Sequence, residues 1–185
     1  MVSFVRSIPP GDNRERLSCP DCGYVAYENP KIVAGAVVVL GGRVLLCRRA
    51  IAPRIGFWTL PAGYMELGET VAEAAMREAF EEAEARIVLD GILAVYSLSR
   101  IGQVQIIFRA AFAGAAHFAA GPESAEVALF DWPDIPWAEL AFPSVRWALH
   151  DWHAGADRAL GAPAGNPPED PRGLRQLDAG AGAAP

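Results

Sequence analysis

Apolar residues arrive in short blocks punctuated by glycine and proline. Residues 32–40 form an apolar, β-branched run, Gly41-Gly42 is a two-residue hairpin signal, and 44–48 is a second apolar run. Pro53, Gly56, Pro61 and Gly63 then mark a loop. Beyond it, Thr70 stands as an N-cap with Glu73 three residues on, the spacing of a capping box, which predicts a helix running to about Ala85. Residues 87–89, 92–98 and 104–112 read as strands, the last two flanking a turn at Ile101-Gly102. Residues 127–132 read as a further short strand and 143–150 as a closing helix. Strands interspersed with helices predict an α/β fold, a mixed sheet with helices packed on it.

Composition divides the chain further. From Ala154 to Pro185, 20 of 32 residues are Ala, Gly or Pro and none is aromatic, so too little apolar surface is available to offset ordering, and the stretch reads as a disordered tail. The expected organisation is therefore an N-terminal segment over 1–30, one domain over 31–153 and a tail over 154–185. Sixteen Lys and Arg against 22 Asp and Glu give a net charge of −6, with Lys31 the only lysine, which disfavours nucleic acid as a partner. Three cysteines make no disulfide framework and no apolar run reaches membrane-span length, so a soluble cytoplasmic protein with no membrane partner is expected.

The predicted helix carries the chemistry. At about 100° per residue, Glu78, Glu81 and Glu82 share one arc roughly 100° wide. Ala72, Met76, Ala79, Phe80 and Ala83 fall on the opposite arc, which is the expected core face, and Ala74 and Ala75 flank the acidic one. A solvated acidic face would intersperse Lys or Arg four residues from each Glu, yet only Arg86 stands at that offset, from Glu82. Three oxygen donors on one face suit a hard cation, Mg²⁺ or Mn²⁺.

Gly63, five residues, Glu69, seven residues, then Arg77-Glu78-Ala79-Phe80-Glu81-Glu82 resembles the signature of the Nudix hydrolases, G-x5-E-x7-R-E-U-x-E-E-x-G-U with U aliphatic. Glu84 stands where the signature has Gly, and Ala79 and Ala85 occupy the aliphatic positions. That Gly ends the helix in a left-handed conformation costing other residues about 1 kcal/mol or more, so a displaced cap or a longer helix is expected. The resemblance implies a Nudix-type α/β/α sandwich. It also implies Glu78 and Glu82 as metal ligands, Glu81 as a further one directly or through water, and the Ala62 carbonyl as another. Arg77 would hold Glu78 and Glu69 by salt bridges. The implied reaction is water attack on phosphorus in a diphosphate joining a nucleoside to another moiety. For the general base outside the signature, Glu126, just before a predicted strand, and Glu123 are the candidates, the alternative for both being exposed loop charge.

Cys19-Pro-Asp-Cys22-Gly looks like a zinc-knuckle turn, but one C-x2-C pair supplies two of the four ligands of a structural Zn²⁺ site. Cys47 reads as an inert core thiol. The stretch from Cys19 to Lys31 resembles the zinc-ribbon lead-in of the Nudix subgroup of NADH, ADP-ribose and FAD pyrophosphatases, whose members usually carry an earlier pair. Arg48, Arg49 and Arg54 are candidate contacts for substrate phosphate, and Trp58 is either a base-stacking ring or core. The subgroup resemblance implies a small-molecule nucleotide diphosphate substrate, FAD or ADP-ribose ahead of NADH, and a homodimer. The competing reading is a catalytically inactive Nudix-fold ligand sensor or interaction module.

Overall fold

The computed structural model describes residues 3–156 and 158–175. They fall into two compact units that divide between Pro30 and Lys31. In the first, β1 (Val5–Ser7), β2 (Arg16–Ser18) and β3 (Val25–Ala26) form an antiparallel sheet. The Cys19–Cys22 turn follows β2: the Gly23 N–H donates to the Cys19 carbonyl at 2.9 Å and the Cys19 N–H to the Tyr24 carbonyl at 2.8 Å. Gly23 takes a left-handed φ of 74° there, which a residue without Cβ adopts freely. Cys19 is buried and Cys22 exposed, both as free thiols.

The second unit is built on β4 (Lys31–Leu40), β5 (Arg43–Arg49), β6 (Trp58–Thr59), β7 (Ala62–Tyr64), α1 (Val71–Ala83), β8 (Ile87–Leu98), β9 (Gln103–Phe112), β10 (Ser124–Phe130) and α2 (Pro143–Ala154). The sheet order is β10-β5-β4-β9-β8, with β6 on β5 and β7 on β4. β4 and β9 run parallel, Lys31 opposite Gln103 through Val39 opposite Ala111, while β4–β5, β4–β7 and β8–β9 are antiparallel, so the sheet is mixed. Strand alternation makes two cores. Ala34, Ala36, Val38, Leu45 and Cys47 pack with α1, whereas Val37, Val44 and Leu46 pack with Val145, Ala148, Leu149 and Trp152 of α2. One helix on each face is the expected α/β/α sandwich.

Several boundaries differ from the sequence pattern. Residues 87–98 are one strand, because register shifts between Leu89 and Gly91 and between Ile92 and Ala94 absorb the break in alternation. β10 starts at Ser124 and stops at Phe130, since Trp132-Pro133 opens a 3₁₀ turn. α2 continues to Ala154, its last turn burying Trp152. The tail expectation is corrected in part. Ala154 belongs to α2, and the segment beyond it follows the outer edge of β8. Ala164 exchanges backbone hydrogen bonds with Leu93 and Val95, Asn166 brackets the Ser97 N–H and C=O at 2.7 and 2.8 Å, and the Arg172 carbonyl accepts from the Ser99 N–H. An edge strand offers unpaired N–H and C=O groups, and the arm satisfies them with backbone and amide groups, a source of order that apolar composition does not register. Residues 157 and 176–185 lie outside the described residues. No helix among the described residues is long and apolar enough to cross a membrane.

Candidate active site

The site is assembled where β7 leads through a turn into α1. The capping box forms as read: the Glu73 N–H donates to Thr70 Oγ1 at 3.2 Å and the Thr70 N–H to Glu73 Oε2 at 2.7 Å. At the other end Glu84 itself takes the left-handed conformation (φ 49°), its N–H donating to the Phe80 carbonyl at 2.8 Å and the Ala85 N–H to the Ala79 carbonyl at 3.1 Å, so the cap stays at the signature position instead of moving. The core face of α1 differs from the wheel. Ala74, Ala75, Glu78, Ala79, Glu82 and Ala83 are buried, while Met76 and Phe80 stand exposed. The helix docks its narrow alanine face on the small residues of β4, which draws two glutamates inward and leaves the bulky side chains at the rim. The approach is tightest at β7, where a Cβ on Gly63 would lie 2.3 Å from Glu78 Oε1.

Arg77 organises the carboxylates. Its Nε and Nη2 donate to the two Glu69 oxygens at 3.1 and 2.8 Å, Nη1 donates to Glu78 Oε1 and Glu81 Oε2, each at 2.8 Å, and Nη2 also reaches the Tyr64 carbonyl at 2.9 Å. The two-pronged contact holds the Glu69 carboxyl down at about 2, with the Glu66 N–H adding to it. The implied salt bridges of Arg77 to Glu69 and Glu78 are thus present, and Arg77 takes Glu81 as well.

Glu82 is the most deeply placed acid of α1, 5% exposed. Its Oε2 accepts from the Ala62 N–H at 3.1 Å, yet burial pushes its carboxyl up to about 7. Burial raises Glu78 too, against the pull of Arg77, and the charge of Glu123 adds to both shifts. Glu123 therefore stands within electrostatic range of the buried pair. Glu126 instead pairs with Arg48 at 3.5 Å in an exposed contact. The Glu123 segment is fastened to the end of α1: Ala119 and Gly121 N–H groups donate to the Ala83 and Glu82 carbonyls at 2.9 and 3.1 Å. A Cβ on Gly121 would fall 1.7 Å from the Glu81 carbonyl oxygen. The clamp joins segments far apart in the chain, and the Gly121-Pro122 pair ahead of Glu123 is its trace in the sequence.

The arginines have local duties. Arg48 Nε donates to the Gly56 carbonyl at 2.9 Å and Arg49 Nε to the Pro53 carbonyl at 2.8 Å, tying down the 50–57 loop. Arg54 lies over the Phe57 ring. Arg49 also lowers the Glu82 carboxyl, the mark of a cation near the buried acids. Trp58 is core, 6% exposed and edge-on to Phe130. Cys47 is buried in the α1 core, where desolvation and the Glu82 charge push its thiol up, as fits an inert group.

Among the described residues, no three acidic, His or Cys side chains converge as a finished metal cluster. The donor set nevertheless fits a hard cation: burial makes two carboxylates resist ionisation even with Arg77 and Arg49 nearby, and Gly63 keeps the space over Glu78 free of a side chain. A family model described as NUDIX domain matches residues 29–152, two thirds of the chain, and one described as Nudix N-terminal, a zinc-ribbon model, matches 3–28. The chain belongs to the Nudix hydrolase family. The solved NUDIX hydrolase from Nitrosomonas europaea is 42% identical with a TM-score of 0.80, over 89% of this chain and 92% of that one. An ADP-ribose pyrophosphatase from Methanocaldococcus jannaschii is 32% identical over 123 residues, 64% of this chain and 71% of that protein. A MutT-like protein from Streptomyces ambofaciens is 42% identical over 77 residues, 42% of this chain; the match spans 48% of that protein, about half its length.

Proposed function

We propose that this Nudix chain is a divalent-metal-dependent pyrophosphohydrolase. It would split the diphosphate of a nucleoside diphosphate linked to a second moiety, with ADP-ribose or FAD ahead of NADH. The observation that carries this reading is the buried Glu78–Glu82 pair, raised by desolvation beside a side-chain-free Gly63. Glu78, Glu82 and the Ala62 carbonyl would hold Mg²⁺ or Mn²⁺, with Glu81 joining from its place on Arg77. The metal would supply Lewis acidity toward the diphosphate and lower the pKa of the attacking water. Arg77 keeps Glu78 aimed by gripping it and Glu69 together, the outer support that metal ligands commonly have. Glu123, on the loop clamped to α1, takes the proton from the attacking water in preference to Glu126, which Arg48 engages. ADP-ribose is supported by the name of the Methanocaldococcus jannaschii relative.

The decisive experiment assays ADP-ribose, FAD, NADH and nucleoside triphosphates for released phosphomonoesters with Mg²⁺ or Mn²⁺. Turnover of a dinucleotide that a chelator and Glu82→Gln each abolish supports the proposal, and turnover unaffected by chelation ends it. Glu123→Gln should cut kcat about 100-fold or more and Glu126→Gln less than about threefold; the reverse order reassigns the base. A folded protein with no turnover of any of these compounds would favour the ligand-sensor reading.

The same proposal extends to the first unit and the assembly. Backbone N–H of Cys22 foremost, then the Cys22 thiol and the Asp21 N–H, lower the Cys19 thiol, which favours the thiolate that Zn²⁺ needs. Zinc content per purified chain tests this. Sedimentation tests the homodimer, and the three free cysteines support a cytoplasmic setting.

A further inference from the structure

β7 carries the site on one face and a second group of side chains on the other. Gly63 faces Glu78, so the pleat sends the Tyr64 side chain to the opposite face of the sheet. Register places Val33 opposite Tyr64 and Gln105, and Lys31 opposite Gln103, so these side chains share that face. Further along the same face, Val37 and Ile107 enter the core with α2. At the Lys31 end the polar groups are instead linked to one another. Gln105 Nε2 donates to Gln103 Oε1 at 3.3 Å, and Gln103 Nε2 donates to Tyr64 Oη at 3.0 Å. Lys31 Nζ lies 5.0 Å from the Tyr64 ring centroid, and the ring is 47% exposed.

This chain of hydrogen bonds has a direction. Tyr64 Oη accepts from Gln103, which leaves its own hydrogen to be donated outward, and each link polarises the next. Lys31 adds ammonium donors beside it, and Gln105 Oε1 remains an acceptor. Donors and an acceptor side by side match hydroxyl groups, each of which gives and takes one hydrogen bond. A phosphate only accepts, and would leave the glutamine carbonyl facing its lone pairs. The position also suits a substrate already held by its diphosphate. Tyr64 is two residues from Ala62, about 7 Å along a strand, and its own carbonyl braces Arg77. We propose that Lys31, Tyr64, Gln103 and Gln105 form a sugar subsite that binds the hydroxyls of the ribosyl group on the far side of the diphosphate. This rests on the pyrophosphohydrolase reading above and names the part of the substrate that sets its choice.

The test compares ADP-ribose with the methyl ester of ADP, which keeps the cleavable diphosphate but lacks the second sugar. Tyr64→Phe at an exposed position and Gln103→Leu at a half-buried one, both of which leave the backbone in place, are measured with each. The expected result is a KM for ADP-ribose raised about five- to tenfold, as for the loss of one hydrogen bond to an uncharged hydroxyl, with kcat within about twofold and the methyl ester unaffected. Equal effects on both compounds, or none on either, overturn the subsite. If the unaltered protein turns over neither compound, the failure belongs to the pyrophosphohydrolase reading. Calorimetric titration with ribose 5-phosphate then decides the subsite alone: weaker binding by both variants upholds it, and equal or absent binding overturns it.

Discussion

Gly63 and Glu78 are in direct contact in a way no other residue at position 63 would permit, since an added Cβ would meet the carboxylate carbon at 2.4 Å and Oε1 at 2.3 Å. Gly63→Ala should therefore swing Glu78 out of its pocket. Metal-supported turnover is expected to fall about 100-fold, a cost consistent with misplacing a group by about 1 Å. Because the side chain can rotate away, thermal stability should drop far less than for a core clash. Assay and melting on the same preparation check the pair of outcomes.

The metal-free protein should be more stable near pH 5 than at pH 8. Glu82 is raised to about 7 from its ordinary 4.5, so the unfolded chain loses that proton first, and stability falls as pH climbs from about 4.5 to 7. The loss is at most about 3 kcal/mol, and Glu78 adds in the same direction. Glu69, held at about 2, works oppositely: its contribution is complete above 4.5 and disappears as pH falls from 4.5 toward 2. Denaturant unfolding in chelator at pH 3, 5 and 8 should show the maximum at the middle value, and divalent metal should erase the decline toward pH 8.

Glu84→Gly should stabilise the protein. The substitution removes the strain of a left-handed non-glycine residue, about 1 kcal/mol, and gives up an exposed Glu84–His117 contact of 3.6 Å. Exposed pairs of that kind contribute about 0–1 kcal/mol, so a net gain of up to about 1 kcal/mol is expected in a denaturant midpoint. A loss would show that His117 outweighs the backbone.

Asn166→Ala tests the arm on β8. It removes the two hydrogen bonds that bracket Ser97 and reopens part of the sheet edge. The expected cost is about 1–2 kcal/mol, with faster amide exchange at Ser97, while kcat stays unchanged because the arm pairs with the edge strand β8, which β9 separates from β4 and the site on β7.

What could be read along the chain was what depends on spacing. Capping at Thr70 and Glu73 and the hairpin at Gly41-Gly42 are properties of neighbours within a few residues, and the structure keeps both, whereas of the acids on one arc it buries Glu78 and Glu82 and leaves Glu81 exposed on Arg77. The docking face of α1 departs from its apolar arc because packing on the sheet favours close approach over side-chain size: Ala74 and Ala75 are buried while Met76 and Phe80 are exposed.

By itself, then, the sequence determined the fold class, the signature and the acids on α1, all carried by local periodicity and by a spacing of charged residues. Only the tertiary structure decided which acids are buried, that Glu123 and not Glu126 stands near them, and that Gly121 clamps that loop to the helix end. It also placed residues 158–175 along β8. The physical reason is common to these cases: desolvation, backbone pairing at a sheet edge and a missing Cβ act between segments far apart in the chain, and composition along the chain carries no record of those distances.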